Sequence, residues 1–162
     1  MTIRISRVAW DDEAGTALRA AQRRELDARY GSDDHEPGTP PTAADITLFL
    51  LASDVDDTPL GCGGLRMLGA DRAEIKRMFV VQQARGTGVA TALLRALEDE
   101  ARSLGLAELL LETGTEQPDA MRFYEREGYR EIPLFGAYVG SDNSVCYERV
   151  LPDGAIRAAA HP

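Results

Sequence analysis

Apolar and polar residues alternate along residues 2–8, where Ile3, Ile5 and then Val8 stand against Arg4 and Arg7. That period predicts a strand with one buried face. Asp11 and Asp12 follow as helix-capping residues, and residues 14–29 are rich in Ala, Leu, Arg and Glu. The predicted inner stripe of that helix is Leu18, Ala21 or Gln22, and Leu26, with Tyr30-Gly31 ending it. Three apolar stretches come next, at 45–53, 59–68 and 75–81, each of strand length. Gly61, Gly63 and Gly64 in the second of them predict a bulge or a close backbone approach. A helical period resumes from Thr91: Val89, Leu93, Leu97 and Leu104 share one face, and Glu98, Asp99 and Arg102 take the other. Gly105 suits the end of this helix. Residues 108–112 read as a buried strand, and Pro118 suits the first turn of a helix over 119–127 that Gly128 stops. Strands at 129–132 and 144–150 complete the order. The loops at 32–44 and 133–143 are rich in Pro and Gly.

This order, strand and helix, a meander, a β-α-β unit and a helix-linked hairpin, predicts a mixed α/β (α+β) sheet with helices packed on it. The 162 residues suit one domain over 1–151, with an Ala-rich tail at 152–162. At 44% hydrophobic the chain can bury a core. No apolar run reaches membrane-span length and residues 1–20 lack a leader pattern, so a soluble, cytoplasmic protein is expected. The net charge of −9 argues against nucleic acid or an anionic membrane as partner and favours cationic substrates such as amines. The two cysteines, Cys62 and Cys146, are too few for a disulfide framework or a zinc site. With only His35 and His161 as histidines, no metal site or histidine-based triad is expected.

The strongest functional signal runs from Ile75 to Leu94, as strand, glycine turn and helix start. The first N–H groups of a helix lack internal partners and sit at its positive end, so they bind anions. Glycine lets the backbone approach the anion closely. No Lys-Ser or Lys-Thr follows Gly88, so this is not a P-loop, and no third glycine completes a dinucleotide fingerprint. Arg85, Gly88 and Ala90 instead spell R-x-x-G-x-A. Residues 120–129 carry a second pattern, A-x-x-x-Y-x-x-x-G-Y, with Ala120 and Tyr124 one helical turn apart.

Together these patterns resemble the GNAT superfamily of acyl-CoA-dependent N-acetyltransferases, over residues 59–150. The resemblance implies a mostly antiparallel sheet of about seven strands whose fourth and fifth strands run parallel and splay apart. Acetyl-CoA is implied as co-substrate. Its pyrophosphate would rest on Arg85, Gly86, Thr87, Gly88, Val89 and Ala90, with Arg85 adding a charge-assisted bond. Met78, Phe79 and Val80 would offer backbone groups to the pantetheine, and an N–H there would polarise the thioester carbonyl. Gln117 falls where the family often has an asparagine that bonds pantetheine.

Tyr124 matches the general acid that protonates the departing sulfur; a phenol, with a reference pKa of about 10, stays protonated at neutral pH. Glu74 matches a glutamate that serves as general base in several members. A partly buried carboxylate suits that work because burial favours its neutral form. Arg29, Tyr30 and Tyr138 are candidates for the acceptor pocket. The resulting expectation is direct transfer of acetyl to a primary amine of a small or amino-acid-like molecule in a ternary complex. Homodimers are common in the family. The alternative is a GNAT domain that holds acyl-CoA as a sensor or scaffold without turnover.

Overall fold

Local chemistry sets the first helix. The Asp12 carboxylate accepts the Gly15 N–H at 3.0 Å and opens α1 (Glu13–Tyr30), which Gly31 closes with φ 74°. Such a left-handed residue is favoured by glycine at a helix end. A computed structural model describes residues 2–33 and 35–152. Its strands are β1 (Arg4–Val8), β2 (Leu48–Ser53), β3 (Pro59–Met67), β4 (Arg72–Val80), β5 (Glu108–Gly114), β6 (Arg130–Ile132) and β7 (Ser144–Val150). The other helices are α2 (Val89–Ser103) and α3 (Pro118–Arg126). The tail expected from residue 152 lies outside the described residues beyond Pro152.

All seven strands form one sheet, in the order β1-β2-β3-β4-β5-β7-β6. Only β4 and β5 pair in parallel, and their register ends at Ile75 opposite Leu111. Beyond that point β4 runs on to Val80 and β5 to Gly114 without pairing each other. The mixed sheet and the splayed strand pair match the expectation from the sequence.

A bulge makes the splay possible. The β3–β4 register shifts between Cys62 and Gly64, and Arg77 sits at φ 58°. One extra residue on a strand reverses the facing of every side chain after it. Ala73 and Ile75 face the main core before the bulge; Met78 and Val80 face it afterwards. Without the extra residue, Met78 and Val80 would point to the α1 side. The glycines of β3 answer a packing need: a Cβ on Gly61 would lie 2.7 Å from the Phe79 carbonyl oxygen and 2.9 Å from Leu93 Cδ1.

The α2 helix packs its apolar face on this sheet. Val89, Leu93, Leu94 and Leu97 are all fully buried, each contributing roughly 1.5–3 kcal/mol of transfer free energy. Two assignments on α2 need correction. Leu104 is 46% exposed, because the helix ends at Ser103 and Leu104 only caps it. Glu98, expected on the outer face, is fully buried. It is held by Arg95, by Arg149 of β7 at 2.9 Å and by the Tyr129 hydroxyl at 2.8 Å. Those last two partners are distant in sequence, so the spacing along α2 could not reveal them.

Candidate active site

Two cavities meet at the splay. The larger, about 590 Å³, lies between β4, the 82–88 turn, α2 and α3. Its walls include Met78, Phe79, Val80, Arg85, Gly86, Gly88 and Ala90. Gly86 and Gly88 have φ 76° and 95°, and Gly88 caps α2. Space is not what demands glycine there, since an added Cβ would meet nothing within 4 Å; the backbone conformation is. No backbone carbonyl among the described residues accepts the N–H groups from Gly86 to Thr91. A run of free donors at a helix start, opening on a large cavity, fits an anion such as a pyrophosphate.

The side chains of the turn are placed more variously. Val89 is fully buried in the core, so only its backbone is available. The Thr87 hydroxyl turns back to the Ala84 carbonyl. Arg85 donates through Nε to the Val80 carbonyl at 3.0 Å and through Nη2 to both Glu25 oxygens at 2.8 Å. It therefore ties the turn to α1 while still lining the cavity.

The smaller cavity, about 110 Å³, lies between α1, β4, β5 and α3. Gln22, Tyr30, Glu36, Lys76, Arg77, Glu112 and Gln117 contribute polar walls. Met78, Ala120 and Tyr124 line both cavities. The Tyr124 side chain is 7% exposed, and its hydroxyl has no hydrogen-bond partner among the described residues. Burial pushes that phenol above its ordinary range, so it remains a proton donor at neutral pH.

The candidate base is placed differently from the expectation. Glu74 is 1% exposed and lines neither cavity. Arg66 binds it at 3.0 Å, the Tyr138 hydroxyl donates to it at 2.5 Å, and Lys76 Nζ lies 3.7 Å away. Tyr138, expected in the acceptor pocket, is 3% exposed and belongs to this buried network instead. Tyr30 does line the smaller cavity; its hydroxyl accepts the Glu116 N–H at 3.3 Å and its ring stacks on His35. Arg29 is exposed and lines, with Gln117, a groove between α1, β4 and the start of α3 that adjoins both cavities, sharing Gln22 and Met78 with the smaller and Phe79 and Arg85 with the larger. Gln117 precedes α3 without capping it through its side chain, and it lines the smaller cavity.

Sequence reading missed Glu112. It lines the smaller cavity beside Tyr124 and accepts the Ser144 hydroxyl at 2.6 Å. Burial raises its pKa, against the lowering effect of the Ser144 bond and of Lys76. The available signal was a lone carboxylate ending the apolar run Leu109-Leu110-Leu111. Gln22 was also missed as a site residue: its amide Nε2 donates to the Met78 carbonyl at 3.0 Å.

Comparisons with known proteins agree with this fold. The family model described as Acetyltransferase (GNAT) family matches residues 12–129, and the chain belongs to that family of acetyl-CoA-dependent acyltransferases. An IAA acetyltransferase of Azospirillum brasilense is 36% identical over 111 residues, 68% of this chain and 72% of that protein. N-alpha-acetyltransferase 30 of Schizosaccharomyces pombe is 35% identical over 77 residues, which span 51% of that protein. Among solved structures, a Klebsiella pneumoniae protein described as an acyl-CoA N-acyltransferase superposes with a TM-score of 0.78 at 30% identity, covering 93% of this chain and 98% of that one. A GNAT acetyltransferase of Elizabethkingia anophelis, solved with acetyl-CoA bound, shares the fold at 16% identity, with a TM-score of 0.67 over 92% of this chain and 98% of that one. Among the described residues, no helix is long and apolar enough to cross a membrane.

Proposed function

We propose that this protein is an N-acetyltransferase that binds acetyl-CoA and a small primary amine together and passes the acetyl group directly between them. The observation that carries the reading is the shared wall: Met78, Ala120 and Tyr124 border both cavities. Two ligands placed in the two cavities would meet at the Tyr124 hydroxyl.

Acetyl-CoA supplies the activated acetyl thioester. The Gly86–Ala90 backbone holds its pyrophosphate, and Arg85, turned from Glu25, adds charge there. Past Ile75 β4 has no β5 partner; Gln22 and Arg85 hold its Met78 and Val80 carbonyls, so the backbone N–H groups of the stretch from Met78 to Val80 are what it offers to the pantetheine and the thioester carbonyl. The Gln117 amide supports the same arm. Glu112 accepts the proton of the attacking amine as the carbon–nitrogen bond forms. The Tyr124 hydroxyl gives a proton to the sulfur as the carbon–sulfur bond breaks. Glu74 serves a structural role, because Arg66 and Tyr138 occupy its oxygens.

The test is release of free CoA from acetyl-CoA across a screen of amines, amino acids, polyamines, aminoglycosides and peptides. Product detected with an amine, with initial rates that require both substrates bound before either product leaves, supports the reading. Tight acetyl-CoA binding without turnover on any acceptor would leave a non-catalytic binding domain.

A further inference from the structure

Behind the smaller cavity lies another, of about 300 Å³, between α1 and the 35–41 segment. Gln22, Leu26, His35, Glu36 and Arg77 line both, so the two adjoin. The charged walls of the rear cavity are Arg19, Arg23 and Arg77 against Glu36, with Arg23 also paired to Asp27 at 3.2 Å. In a chain of net charge −9, such a cationic lining is a local feature and not a general field.

The α1 helix supplies most of it. Arg19, Gln22, Arg23 and Leu26 recur at i, i+3, i+4 and i+7, the spacing of one helix face. That face would ordinarily be apolar where it meets the rest of the molecule. Glu36 is already shared: it binds Arg77 at 2.9 Å and Lys76 at 3.1 Å, with Arg23 at 3.8 Å. Arg19 has no carboxylate partner among the described residues. Its Nη2 donates to the Trp10 carbonyl at 2.8 Å, and its guanidinium lies 3.7 Å from the centre of the Trp10 ring. Its Nε is buried without a hydrogen-bond partner, and so is Gln22 Oε1 one turn away. A buried donor left unpaired is costly and calls for an acceptor.

We propose that this arginine-lined cavity receives an oxyanion of the acceptor, so that the preferred acceptor is a small amine carrying a carboxylate, phosphonate or phosphate group. The amine lies toward Tyr124 and Glu112, with Gln22 Oε1 available to its N–H. The anion lies against Arg19, Arg23 and Arg77. Calling the ligand an acceptor rests on the acetyltransferase reading; the anion subsite itself does not.

The test separates the two. Calorimetry titrates the protein, with and without free CoA, against propylamine, 4-aminobutyrate and 3-aminopropylphosphonate. The two anionic amines should bind roughly tenfold or more tighter than propylamine, and comparison of the two distinguishes carboxylate from phosphonate preference. Arg19→Gln should collapse that preference. Arg23→Gln, at a side chain 42% exposed, should reduce it without endangering the fold. Equal affinity for all three amines, or a preference that survives both substitutions, overturns the subsite. Arginine-dependent binding of the anionic amines without CoA release would keep the subsite and overturn the acetyltransferase reading.

Discussion

The Tyr138 hydroxyl donates to Glu74 Oε2 at 2.5 Å, and Lys76 Nζ donates to the same hydroxyl at 2.9 Å. This chain of bonds, with Arg66 on the other Glu74 oxygen, secures the 133–143 loop to β4. Glu74→Gln should therefore act on stability. Loss of one partner from a buried ion pair costs about 3 kcal/mol, readable by thermal denaturation. The pH dependence of kcat should keep its shape. A kcat that falls at neutral pH and recovers at high pH, in a variant as stable as the wild type, would restore Glu74 as the base.

Glu112→Gln should show the opposite pattern. A general base contributes typically ~10²–10⁴-fold, so kcat should fall by about 100-fold or more. The wild-type rate should rise with pH through the raised Glu112 pKa, because the base works ionised. A carboxyl whose folded pKa lies above its unfolded one favours folding at low pH. That support is lost as pH rises through the folded value. Above that value ionised Glu112 opposes folding, and there the glutamine variant should be as stable as the wild type or more so. Full activity in that variant would remove Glu112 from the mechanism.

Tyr124→Phe removes a hydroxyl that has no partner among the described residues and keeps the ring against Phe123 and Tyr129. Stability should change by less than about 1 kcal/mol. Loss of the proton donor should lower kcat by about 100-fold, the lower end for an acid, because a thiolate leaves readily. Acetyl-CoA affinity should be nearly unchanged in calorimetry. An undiminished kcat would return Tyr124 to a packing role.

Gly88→Asp places a carboxylate where the free N–H groups gather, on a residue at φ 95°. Acetyl-CoA binding should be lost in calorimetry while circular dichroism still reports a folded protein. Equal affinity in the two proteins would refute the anion role of the turn.

Glu36 carries the acid-sensitive part of the site. Burial opposes its ionisation, but the Arg77 and Lys76 bonds outweigh burial and hold its pKa at about 2. A depressed carboxylate stabilises the fold above its unfolded pKa and stops doing so as pH falls through the folded one. The fall from an ordinary 4.5 to about 2 corresponds to about 3 kcal/mol, lost between those two values. Glu36→Gln should flatten the stability profile across that window in denaturant titrations at stepped pH.

What the sequence determined by itself is local. The apolar periods marked the strands and helices, because a strand or helix must bury a repeating face. Gly86 and Gly88 marked the anion turn, because few other residues adopt positive φ. Ala120 and Tyr124 marked a helix face whose ring borders the cavities. What the tertiary structure decided is pairing across distance. Arg77 bulges out of β4 because β3 does not match it residue for residue, and that bulge chooses which side chains face the core. Glu98 is buried because Arg149 and Tyr129 arrive from later elements to compensate it. Glu74 and Glu112 are both carboxylates on neighbouring parallel strands, alike in sequence terms. Only the packed chain puts Arg66 and Tyr138 on the first and leaves the second at the cavity, since charge, burial and access are properties of neighbours that residue order does not specify.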